Sequence, residues 1–147
     1  MKSFKIELNS TNSKNVGIAR EWGLCAYYGI ERTTHDSISY DKGSDIELSD
    51  KAISVKASGF TLMSGSLCEG LSDFDGIWNL YASRVHSDTF AYVTEDGTTY
   101  EMNLNEFKEM VYTFCKTEKE SAKNGGAIKI RCKKESAKMR AWLEARA

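Results

Sequence analysis

The segment Asp45-Ile-Glu-Leu-Ser-Asp-Lys-Ala-Ile-Ser-Val-Lys56 leaves the chain few folds to choose from. It holds two short alternating runs joined by the polar turn Ser49-Asp50-Lys51. A parallel partner would need a crossover of about a dozen residues or more, so the two runs are expected to be antiparallel neighbours in one sheet. In the first run Asp45 and Glu47 fall on one face, with Ile46 and Leu48 on the other. In the second, Ser54 and Lys56 share a face, and Ile53, Val55 and Ala57 take the opposite one. Setting both apolar faces on a core brings two carboxylates and an ammonium together. Carboxylates are the hard oxygen ligands that Mg²⁺ prefers. A lysine beside them could hold or polarise a water or a phosphate, as metal-assisted phosphodiester cleavage requires.

The rest of the chain supplies elements to surround this hairpin. Residues 3–8 alternate, with Phe4, Ile6 and Leu8 on one side, and predict a first strand. After the polar turn Asn9–Ser13, a helix is expected over 15–28. Its apolar stripe runs through Ile18, Trp22 and Cys25, with Leu24 and Tyr28 beside it. Glu21 borders that stripe. By pattern alone it is a boundary glutamate in a surface ion pair with Arg20 or Arg32. Residues 31–44 read as a loop, extended over 37–40, and His35 has no partner at metal spacing. The strand through Lys56 is expected to continue to Met63, bent at Gly59. Ser72 is a candidate cap for a helix over 73–83, with Phe74, Ile77, Trp78 and Tyr81 facing the core. Asp73 and Asp75 suit the start of that helix. Arg84 and His86 follow in a loop.

Thr89–Val93 and Thr99–Met102 flank Glu95-Asp-Gly-Thr98, a hairpin turn centred on Asp-Gly. Asn103 and Glu106 have capping-box spacing and open a helix with Phe107, Met110, Val111 and Phe114 on one face, ending near Lys116. A charged loop over 119–126 is expected next. Ile128, Ile130 and Cys132 then alternate with Lys129, Arg131 and Lys133, predicting a strand with one basic face. A final helix over 135–145 is anchored by Met139, Trp142 and Leu143.

At 147 residues the chain is long enough for one domain with a real core, and no linker or repeat divides it. It has no apolar run of about 18 residues, so no membrane span is expected. Residues 1–8 lack the apolar stretch of a secretory signal. Four cysteines without CxxC spacing argue against a zinc site or a disulfide framework, and a cytoplasmic location is expected. Charge is uneven. From Lys116 onward there are ten Lys or Arg against four Glu, while the preceding 115 residues carry ten basic and 17 acidic residues. A basic end on an acidic body suggests an anionic partner, although surface helices and edge strands also carry lysine.

Gly43-Ser-Asp-Ile-Glu47, followed by Ser54-Val-Lys56 nine residues after Asp45, resembles the signature of the PD-(D/E)XK superfamily, the restriction-endonuclease-like nucleases. Ser44 stands at the family's proline and Ser54 at its acidic residue two before the lysine. The order of elements contains the family's αβββαβ core. The resemblance therefore implies an α/β (α+β) fold, a central mixed sheet flanked by helices, with an added hairpin and a C-terminal helix. It implies an endonuclease that uses Mg²⁺ or Mn²⁺ on DNA, of the kind found in phage or mobile elements, with a homodimer left open. Asp45 would be the principal metal ligand. Glu47, or Glu21 from the first core helix, would supply the missing carboxylate. Lys56 would act on the attacking water and the phosphate, and Ser54 could hold a metal-bound water. Lys129, Arg131, Lys133 and Arg84 would contact the DNA backbone. The alternative is a catalytically inactive relative that binds nucleic acid or a partner protein, which the serine at position 54 favours. A further alternative is an ordinary α+β domain in which Asp45, Glu47 and Lys56 form a surface salt-bridge cluster.

Overall fold

A computed structural model describes residues 1–8, 16–30, 45–63, 68, 70–119 and 128–147, without the side chains of 16–18. The extended reading of 37–40, His35, the turn 9–13 and most of the loop after Lys119 lie outside the described residues. The described chain is a mixed α/β structure of eight strands and four helices: β1 (Lys2–Lys5), α1 (Val16–Tyr27), β2 (Ile46–Glu47), β3 (Ala52–Ala57), β4 (Thr61–Met63), α2 (Phe74–Arg84), β5 (Thr89–Val93), β6 (Thr98–Asn103), α3 (Leu104–Phe114), β7 (Cys115–Lys119), β8 (Ile128–Cys132) and α4 (Ala137–Arg146). None of its helices is long and apolar enough to cross a membrane.

The strands form two sheets. The larger runs β1-β6-β5-β3-β2, and the smaller β4-β8-β7. β2 and β3 pair antiparallel, Ile46 opposite Ile53 and Glu47 opposite Ala52. The short turn enforces this, and Leu48 N donates to Lys51 O at 2.8 Å across it. β3 and β5 are parallel, with α2 in the connection between them. β5 and β6 form the expected hairpin, Tyr92 opposite Tyr100. β1 stops at Lys5, opposite the first residue of β6. Beyond it Ile6 N turns to the carbonyl of Gly97 at 3.0 Å, so the alternation of 6–8 outruns the strand it could pair with.

Side-chain alternation divides the core between the two faces of the larger sheet. On one face Phe90, Tyr92, Tyr100 and Met102 pack against Ile77, Trp78 and Tyr81 of α2, Phe107 and Met110 of α3, and Met139 and Leu143 of α4. Phe90 and Phe107 stack there at 4.5 Å between centroids. On the other face Ile46, Ile53, Ala91 and Val93 pack against Leu24 and Cys25 of α1.

Local chemistry sets the helix ends. Asn103 and Glu106 make the full capping box. Asp73, not Ser72, caps α2, its carboxylate accepting from Gly76 N at 2.8 Å, and Asp75 lies in the first turn. Ser136 caps α4, which therefore starts at Ala137 rather than at 135. Two expectations are corrected outright. The strand through Lys56 does not run on to Met63: Ser58 and Gly59 turn the chain, Gly59 at φ 77°, and β4 joins the other sheet. The third helix, expected to end near Lys116, stops at Phe114, and Cys115–Lys119 is β7, paired residue for residue with β8.

Candidate active site

Asp45 lies beside the outer edge of β3, next to β2. Its backbone N donates to Ile53 O at 2.9 Å, and its carboxylate Oδ2 accepts from Val55 N at 2.8 Å. The Val55 amide extends the edge of β3 past the short β2, and the aspartate takes the place of the missing partner strand. The same contact fixes the carboxylate and, among the described residues, leaves Oδ1 for another ligand.

Ser54 and Lys56 leave β3 by the face that carries Phe90 and Tyr92. Ser54 is only 5% exposed. Lys56 is partly buried, with Nζ 5.7 Å from the centroid of Tyr81 and 6.0 Å from that of Phe60. Both rings present their electron-rich faces to the ammonium. Burial nevertheless pushes the Lys56 pKa down, and the negative charge of Asp45 opposes that shift. Tyr81 closes the pocket from α2. Burial pushes its phenol up, Ser54 tempers the rise and Asp45 adds to it. Its hydroxyl has no partner in good hydrogen-bonding geometry among the described residues. One face of the sheet thus brings together Asp45, Ser54, Lys56 and Tyr81.

Glu47 is exposed and lies two residues along β2 from Asp45, on the same side of the strand. Glu21 is partly buried on α1. That helix covers the Ile53 and Ala91 face, so Glu21 belongs to the layer across the sheet from Ser54 and Lys56. Among the described residues no three His, Cys, Asp or Glu side chains converge into a ready-made metal cluster. The acids on this face of β2 are therefore Asp45, which acts on Lys56, and Glu47, which lies opposite Ala52, four residues along β3 from that lysine. That pair suits an ion that is held by one or two carboxylates and fills its other positions with water and phosphate oxygens.

The basic residues lie elsewhere. Arg84 is exposed in the last turn of α2. Arg131 sits on β8 between Thr61 of β4 and Lys116 of β7, and Lys129 lies opposite Glu118. The ammonium of Lys116 beside Lys133 pushes the latter's pKa down. Lys116, Arg131 and Lys133 thus make a cationic patch on the smaller sheet.

Tyr81 and Phe60 are the site residues that sequence patterning missed. Tyr81 had the spacing of any core residue on α2, and Phe60 reaches Lys56 only because the chain turns at Gly59. No family model, no curated protein and no solved structure matches the chain.

Proposed function

We propose that the chain is a metal-dependent nuclease that hydrolyses phosphodiester bonds in DNA, built on a restriction-endonuclease-like core. The observation that carries this reading is the placement of Asp45 and Lys56. The carboxylate is fastened to the edge of β3 by the Val55 amide, and the lysine stands on the same strand, in a pocket that lowers its pKa. The order α1, β2, β3, β4, α2, β5, with β3 and β5 parallel, supports the fold assignment, with β4 the one member of that run that pairs in the smaller sheet.

Asp45 and Glu47 would hold Mg²⁺ or Mn²⁺, which would activate water and offset charge on the scissile phosphate. Lys56 acts in one of two ways. As an ammonium it donates to a phosphate oxygen as charge develops there. As a neutral amine, the form that burial moves toward lower pH, it would accept a proton from the attacking water. Tyr81 keeps bulk water from one side of the lysine. Lys129, Arg131 and Lys133 on and beside β8, with Arg84, would add sequence-independent contacts to the DNA backbone.

A second reading rests on Ser54. It is buried under Tyr81 at the position where the resembled family has a metal-ligating carboxylate. That favours a relative that binds nucleic acid or a partner protein without cutting it.

Nicking of supercoiled plasmid decides between the two. Under the first reading the protein nicks with Mg²⁺ or Mn²⁺, stops with EDTA, and loses cutting but not DNA affinity in Lys56→Ala. Calorimetric titration with Mn²⁺ should show binding that Asp45→Ala removes. DNA binding without nicking, over a range of metals and substrates, selects the second reading.

A further inference from the structure

β7 ends the smaller sheet. Its inner edge pairs with β8, and no described strand pairs with its outer edge. An exposed edge of this kind is a template for another strand unless its side chains repel one. Among the described strands, the terminal strands β1 and β7 differ in that respect. β1, at the end of the larger sheet, reads Lys2-Ser-Phe-Lys5, so an antiparallel copy of itself would set Lys2 against Lys5 at both ends. β7 reads Cys115-Lys-Thr-Glu-Lys119. An antiparallel copy centred on Thr117 sets Lys116 opposite Glu118 of the second copy, and Glu118 opposite its Lys116. Opposite charges at directly paired positions stabilise a sheet, and like charges oppose it.

From this self-complementary charge pattern we propose that β7 is the contact strand of a symmetric homodimer, in which two β7 strands pair antiparallel about Thr117 and join the smaller sheets into one. Lys116 and Glu118 are both exposed, on the face away from Ile130 and the core. Lys116 faces Arg131 across the strands and crowds Lys133, so the cation-to-cation pair at this position would gain a directly opposed acid, Glu118, from a second copy. Beside the strand Tyr112 is 71% exposed and, with Phe74, Cys115 and Thr117, lines an open groove of about 380 Å³. The partner's matching edge would cover this apolar border. The contact is isologous, so it closes at two copies and does not propagate into fibres. A five-residue strand and one groove is a small interface, so association should depend on concentration.

Sedimentation equilibrium of the full chain over a wide concentration range tests this. The wild type should pass from monomer to dimer. Lys116→Glu and Glu118→Lys, which each set like charges together at both paired positions, should weaken the dimer about tenfold or more. The double exchange, Lys116→Glu with Glu118→Lys, restores both pairs and should restore dimerisation. That rescue also shows that the single variants failed by charge and not by misfolding. A wild type that stays monomeric throughout overturns the proposal, as does a dimer that neither single variant weakens. If the wild type is monomeric and the variants change only duplex-DNA affinity, the strand belongs to a nucleic-acid surface instead.

Discussion

The ammonium of Lys56 lies 5.7 Å from the centroid of the Tyr81 ring, and the aromatic wall takes water away without supplying a full counter-charge. Burial lowers the folded-state pKa below the ordinary 10.5, so the folded protein binds fewer protons than the unfolded chain once pH approaches that range. The native state therefore carries a cost from Lys56 that is fully present below its folded pKa and is relieved as pH rises from there toward 10.5. Lys56→Met should raise the thermal unfolding midpoint at pH 7, and the gain over wild type should shrink as pH is raised toward 10.5. Under the proposed function the same substitution abolishes cutting, which would make the lysine a residue kept at the expense of stability. Paired melts at pH 7 and 10 measure the first effect.

Ser54 offers the converse experiment. Ser54→Asp places a carboxylate where only 5% of the residue is exposed, beside Tyr81. Without metal the variant should lose on the order of 2–4 kcal/mol by chemical denaturation. If Asp45 and the new carboxylate share a cation, millimolar Mg²⁺ or Mn²⁺ should recover part of that loss in the variant and shift the wild type less. Equal shifts in both proteins would leave position 54 outside any metal site.

On the opposite face of the sheet, Lys51 Nζ lies 3.2 Å from Glu101 Oε2 and donates to Tyr28 Oη at 2.9 Å. Glu101 is buried, and burial holds its carboxyl pKa above the ordinary range against the pull of Lys2. Lys51→Ala removes one of the ammonium groups near that carboxylate and should cost roughly 1–3 kcal/mol at pH 7. A raised carboxyl pKa means the folded state takes up its proton first on acidification, so the deficit should narrow as pH falls toward 5. Adding Glu101→Gln should recover most of it. A double-mutant cycle from denaturant melts measures the coupling.

Two glycines are fixed by close backbone approach. A Cβ on Gly97 would stand 2.3 Å from Ile6 O, and this residue also has φ 88°. A Cβ on Gly23 would stand 2.4 Å from Glu7 O, where α1 crosses the chain after β1. Gly97→Ala and Gly23→Ala should each destabilise by about 2 kcal/mol or more. Gly29 also has positive φ, at 70°, but a Cβ there meets nothing within 4 Å, so Gly29→Ala should cost only about 1 kcal/mol of backbone strain. Thermal melts of the three variants rank them.

Elements set by local chemistry were legible in the sequence. The turn at Ser49–Lys51, the Asp-Gly hairpin and the Asn103–Glu106 capping box each determine their own geometry within a few residues. What the sequence hid depends on distant partners. Cys-Lys-Thr-Glu-Lys has no apolar alternation and reads as the frayed end of a helix, yet pairing with β8 makes it a strand. Thr61–Met63 carries no sign that its partner is β8 and not a strand of the larger sheet. At the candidate site, alternation within β2 and β3 was enough to set Asp45, Ser54 and Lys56 on one side. Glu21 bordered its apolar stripe without revealing which face of the sheet α1 would cover. Tyr81 met Lys56 only through the crossover that brings α2 over that face.

The pairing of β1 with β6 bears on how the protein is made. Lys2–Lys5 finds its partners at Thr98–Glu101, more than ninety residues later in the chain. At ordinary translation rates of about 5–20 residues per second, the first strand waits roughly 5–20 s for the strand it will pair with. The hairpin that receives it is local and can close as soon as both of its strands are free of the ribosome. Of the strands of the larger sheet, the one synthesised earliest is thus among the last fitted into it. A chain that stalls before Thr98 leaves the ribosome with the Lys2–Lys5 segment still without its partner.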